Sequence, residues 1–169
     1  MSNPVVSTHA ATGGSGWSLR HAEWHLLVTL PGRVVIAAAS ARHDPARRTV
    51  VGGLAGLDAV AAGRSSASRL VRDVVSAVYH EPDDRPTAVH LHNHAAGTGD
   101  VLAGCRQAAR VLTERVDHVD ADAYRHWILA IATRVCHAAR TRGLLAVGGA
   151  VVSATERRFL ADLAAALEG

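Results

Sequence analysis

Asp120–Gly169 reads DADAYRHWILAIATRVCHAARTRG, then LLAVGGAVV, then SATERRFLADLAAALEG. In the first piece Trp127, Ile131, Val135 and Ala138 recur at three- and four-residue intervals, the spacing of an amphipathic helix, and Gly143 suits its stop. In the last piece Ser153 and Glu156 form an S-x-x-E pattern in which each side chain satisfies an otherwise orphaned backbone N–H. A helix running from there carries Phe159, Leu160, Leu163 and Leu167 on its apolar side. The connection LLAVGGAVV has no strand before it and no phosphate-binding pattern after it, so it joins two helices. This unit predicts an all-α fold.

Upstream the same plan recurs. Residues 1–16 (MSNPVVSTHAATGGSG) lack apolar periodicity and have the composition of a tail, which leaves 17–169 as a single helical domain. From Trp17 onward a short helix is expected up to Leu30, then a break at Pro31, then a second helix over Arg33–Ala41 that is apolar nearly all round and therefore central. Thr49 is placed to cap a helix with Val50, Leu54, Leu57 and Ala61 on its core face and Gly63 at its end. Ser66 or Ser68 caps the next, whose stripe is Leu70, Val71, Val74, Val75 and Val78. AVHLHNH alternates like a strand, but the heptad from Leu91 through Leu102 and Cys105 to Val116 favours one long helix from Pro86 to about Val116, with close packing or a bend at Gly97, Gly99 and Gly104, and Asp120 caps its successor. The sum is a bundle of about six to seven helices. An offset of 101 pairs His25 with His126, Arg33 with Arg134 and Val34 with Val135, and an offset of 104 pairs Thr49 with Ser153 and Asp58 with Asp162, as two pseudo-symmetric halves would.

Composition narrows the function classes. All 18 basic residues are Arg, which excludes Schiff-base chemistry, a pyridoxal phosphate linkage and a Walker-type lysine. The net charge is +3, but the arginines are interspersed with acids and no stacking aromatics lie among them, so nucleic-acid binding is not expected. No apolar run approaches the about 20 residues that span a bilayer, no basic-then-apolar leader is present, and a cytoplasmic protein without a membrane partner is expected. Cys105 and Cys136 fall on apolar helix faces and are expected to be buried thiols. Aromatic residues make up only 4%, so small side chains do most of the packing, and Ala-rich faces suggest a homodimer.

The terminal VSATERRFLADLA resembles the closing segment of TerB-like domains, the tellurite-resistance-associated helical family of bacteria. That resemblance implies a compact all-α fold of two related halves and an accessory role, with acidic residues near the loops that take a divalent cation. This chain departs from the pattern in TRGLLAVGGAVV, which lacks the acidic position, and at Gly52 and Gly53, where a Glu is usual.

Two constellations carry candidate chemistry. His90, His92 and His94, with His80 upstream, are the densest imidazole cluster, and His90 and His94 share a face on a helix, as a two-point metal site requires. An H-x-H-x-H tract on a solvated helix start explains the cluster equally well. No cofactor is otherwise expected. On the helix from Asp120, His126, Ala130, Thr133 and His137 form a polar line beside the apolar stripe, with Arg134 adjoining both. One reading pairs Arg134 with Glu114, Glu156 or Asp162 as a helix anchor. The other sets Arg33 and Arg134 against a carboxylate ligand, with His126, His137 and Tyr124 as acid–base groups and Trp24 and Trp127 as stacking walls. A binding or accessory module for a small carboxylate is the first expectation. A cofactor-independent bacterial biosynthetic enzyme catalysing condensation, cyclisation or isomerisation is the alternative.

Overall fold

The computed structural model describes residues 17–41, 46–80, 97–138 and 153–169, and these are helical throughout their ordered elements. In chain order they form α1 (His21–Ser40), α2 (Ala46–Ala62), a 3₁₀ turn (Gly63–Ser65), α3 (Arg69–His80), α4 (Thr98–Arg115), α5 (His118–Ala138) and α6 (Ala154–Glu168). The fold is an all-α bundle, and no described helix is long and apolar enough to cross a membrane.

α5 is the hub, packing against each of the other five helices. Its inner face is Tyr124, Ile128, Ile131, Ala132, Val135 and Cys136, all buried. Beside it runs α1, which bears Leu27, Leu30, Val34, Ala37 and Ala38 on its core side. The 101-residue offset therefore recurs in burial: Leu27 and Ile128, Leu30 and Ile131, and Val34 and Val135 are equivalent core positions.

The break expected at Pro31 is absent. α1 continues through it, although a proline inside a helix removes the N–H owed to the carbonyl four residues back. That carbonyl belongs to Leu27, and it accepts a 2.7 Å hydrogen bond from the buried Tyr124 hydroxyl of α5. A neighbouring helix thus supplies the donor that Pro31 lacks, and the helix survives.

The core face of α2 also differs from expectation. Leu54 and Leu57 are 59% and 56% exposed, while Gly52, Gly56, Ala59, Val60 and Gly63 turn inward. The reason is closeness of approach. A Cβ on Gly56 would lie 2.6 Å from Val35 Cγ1 and 2.9 Å from Val135 Cγ2, and one on Gly63 would lie 2.8 Å from Trp127 Nε1. Leucines at those positions would hold α2 off the core. Gly52 faces Val135 and Gly63 faces Trp127, so α2 lies antiparallel to α5.

The helix starts follow local chemistry. Ser153 and Glu156 make the reciprocal capping box, at 2.9 and 3.2 Å. Ser68 caps α3 by accepting from the Val71 N–H, and Ser66 accepts from the Ser68 N–H. Asp117 takes the capping role expected of Asp120, whose N–H it accepts at 3.0 Å, so α5 begins earlier. α4 begins at Thr98, with Gly97 in the capping position, and the part of the long helix expected upstream lies outside the described residues. Gly104 gives the close packing anticipated there, against Leu30 and Arg33 of α1. Arg125 ties three helices: it donates to the Leu167 carbonyl in the last turn of α6, to Asp122 on its own helix and to Thr113 of α4. Ala37, Ala38, Ala108, Ala109 and Ala132 are buried inside the bundle.

Two substitution sets test this packing. Tyr124→Phe should cost about 1–3 kcal/mol of unfolding free energy, because it strands a buried carbonyl. In a Pro31→Ala background, where residue 31 regains its N–H, the same change should cost clearly less, and additive denaturation midpoints would disprove the pairing. Gly56→Ala should destabilise by about 1–3 kcal/mol through overpacking. Gly53→Ala, with nothing within 4 Å of its Cβ, should be neutral or stabilise by up to about 1 kcal/mol.

Candidate functional site

The outer face of α5 and the end of α2 enclose an open groove of about 690 Å³. One wall is Ala59, Ala62, Gly63 and Ser66, and the other is the crest of α5, from His126 and Trp127 through Ala130 and Thr133 to Arg134 and His137. The small residues that let α2 sink against α5 also keep its side of the groove low. Trp127 lies half-buried at one end, edge-on to Tyr124 at 5.7 Å between ring centroids, with its indole N–H directed at the Ala59 carbonyl at 3.4 Å. It forms a fixed aromatic wall.

The polar line of α5 opens into this groove. His126 is exposed, and its Nδ1 lies 2.7 Å from the Asp122 carbonyl one turn back. A carbonyl only accepts, so Nδ1 carries the proton, and in the neutral ring Nε2 holds the lone pair. Thr133 directs its hydroxyl to the Leu129 carbonyl at 2.8 Å. Arg134 is exposed and makes no ion pair with a described carboxylate, so neither Glu114, Glu156 nor Asp162 anchors it. Among the described residues, no Asp or Glu lines the groove. The result is an apolar trough with a permanent positive charge near one end and an oriented imidazole near the other.

The expected site residues divide into two groups. His126, Trp127, Arg134 and His137 come together in the groove. Tyr124, Arg33 and Trp24 do not. Tyr124 faces the opposite side of α5, fully buried, and its hydroxyl is committed to the Leu27 carbonyl, which leaves it no access to a ligand. Arg33 lies beside Gly104 and donates to the Asp100 carbonyl of α4 at 3.3 Å. Arg33 and Arg134 therefore cannot fork a single carboxylate, because α1 turns the first toward α4 and α5 turns the second toward α2. Trp24 packs half-buried against the core from α1. His90, His92 and His94 lie outside the described residues, and among the described residues no three His, Cys, Asp or Glu side chains gather around one point. The α2 wall was missed. Its signal was Gly63 followed by Ser66, which reads equally as a helix stop and a cap.

The two shifted groups lie in the core rather than the groove. Burial raises the Cys105 thiol to about 12 against the opposing pull of Arg33 and Arg106. Burial likewise drives the Tyr124 hydroxyl well above 10.0, and the neighbouring Cys105 adds to it. Neither is poised as a nucleophile or base.

No family model, curated protein or solved structure matches this chain.

The core titrations predict an alkaline limit to stability. Both groups stay protonated in the fold at pH values where the unfolded chain ionises. The contribution of Cys105 is complete below its ordinary value of 9.0 and is lost as pH rises toward about 12, while that of Tyr124 is complete below 10.0 and declines above it. Denaturant midpoints should fall across that window, and Cys105→Ala should flatten the fall. An unchanged slope in that variant would assign the loss elsewhere.

Proposed function

We propose that this protein is a small helical binding or accessory module whose α2–α5 groove takes an amphipathic carboxylate. The observation that carries this reading is Arg134, an exposed guanidinium without a carboxylate partner among the described residues, set over an apolar trough lined by Ala59, Ala62, Gly63 and Ala130. A guanidinium fork matches a carboxylate in charge and in plane, and the aromatic edge of Trp127 suits the apolar body behind it. An accessory role is also what the TerB-like character of the terminal segment implies. Binding is preferred to catalysis because the groove is open along its length, whereas acid–base chemistry on a small molecule profits from a site that excludes water.

A second reading has one specific support, the imidazole of His126 held in a single tautomer, as a general base would be. On that reading the groove serves a cofactor-independent condensation, cyclisation or isomerisation, and bound acids would turn over.

Calorimetric titration of the protein with phenylpropionate tests the binding reading. Saturable binding is expected, weakened about tenfold or more in Arg134→Ala and unaffected in Arg33→Ala. Equal affinity in wild type and Arg134→Ala would sink it.

A further inference from the structure

Resting on the groove reading above, we infer that the ligand is a hydroxy acid, carrying a hydroxyl at the end opposite its carboxylate. His126 sets this requirement. Its Nδ1–H is spent on the Asp122 carbonyl at 2.7 Å, and the neutral ring therefore offers the groove an acceptor at Nε2. A ligand atom that meets it must donate. The donor is not an ammonium, because no Asp or Glu among the described residues lines the groove to balance a second positive charge beside Arg134. A neutral hydroxyl is the donor that the surroundings accept.

The spacing of the two ends gives the ligand its length. Arg134 lies eight positions beyond His126 on the same helix, about 12 Å along the axis and roughly 80° around it. Helical side chains lean toward the N-terminus, and the contact of His126 with Asp122 shows that lean, so both polar tips shift the same way and the separation is kept. Between them lie Ala130 and Ala62, with the Trp127 ring alongside. After allowance for an ion pair at one end and a hydrogen bond at the other, the remaining span fits one aromatic ring with a short alkyl arm. α2 runs antiparallel to α5 and puts Ser66 at the His126 end, where the groove is bounded by polar rather than apolar groups. Among the described lining residues, the His126 end is thus where the trough ceases to be apolar without becoming cationic.

Three acids of one shape test the inference by calorimetry on the full chain: phenylpropionate and its para-hydroxy and para-methoxy derivatives. The hydroxy acid should bind about fivefold more tightly than the parent, the effect of one ordinary net hydrogen bond. The methoxy acid, which accepts but cannot donate, should gain nothing. In His126→Phe, an exposed position where the ring is kept and the acceptor removed, the hydroxy preference should vanish, with the parent and hydroxy acids binding alike. If wild type binds all three alike, or His126→Phe keeps the preference, the assignment of the hydroxyl to His126 is overturned and the carboxylate groove stands. If none of the three binds, both fall.

Discussion

The hydrogen bond from Tyr124 to the Leu27 carbonyl holds together the two helices on which the rest of the bundle is built. Pro31 would otherwise leave that carbonyl buried without a donor, at a cost of about 1–3 kcal/mol, in addition to the strain of a proline within a helix. With the bond in place, α1 stays continuous over His21–Ser40 and its apolar positions remain in register with those of α5. It also fixes the rotation of α5. With Tyr124 turned toward α1, residues half a turn away on the same helix must face outward, and these are His126, Ala130 and His137. The structural bond and the candidate site are two faces of one rotational setting.

The second determinant is the glycine face of α2. Gly56 and Gly63 bring this helix within contact of Val35, Val135 and Trp127, closer than side chains would permit. Trp127 is trapped against Gly63 and becomes a rigid wall, and Ala59 and Ala62 leave space beside the α5 crest. Arg134, for its part, pairs with no acid among the described residues, so its charge is directed to solvent and to whatever occupies the groove. Arg33, at the equivalent position of α1, is used differently, because the neighbour there is α4 with its accessible Asp100 carbonyl. α1 and α5 share a burial pattern but not a chemistry.

What could be read in the sequence depended on whether the deciding interaction was local. The Ser153–Glu156 box and the Ser68 cap involve residues three apart, and both were legible. So was the polar line of α5, because helical periodicity alone aligns His126, Thr133 and His137. Pro31 was misread as a break because the hydroxyl that satisfies the Leu27 carbonyl lies 97 residues away from it in sequence. Leu54 and Leu57 were misread as core because hydrophobicity was weighed without approach distance, and in this bundle closeness outranked the size of the side chain. Tyr124 was taken as a catalytic group for a related reason: a hydroxyl on a helix looks available until its acceptor on another helix is known.

The glycines of α2 carry a further consequence, for local stability. Gly52, Gly53 and Gly56 each lower the intrinsic tendency to form a helix by about 1 kcal/mol relative to alanine, and the leucines that could repay this face solvent. α2 is therefore helical because α1 and α5 hold it, and when it detaches it gains nothing by remaining wound. Its amides should open in excursions well below global unfolding, while those of α5, surrounded by five helices, exchange only when the whole bundle does. One wall of the groove is thus set on the hub of the bundle and the other on a helix of low intrinsic propensity. A ligand seated between them would couple the two, and its binding energy would be felt chiefly as a slowing of exchange along α2.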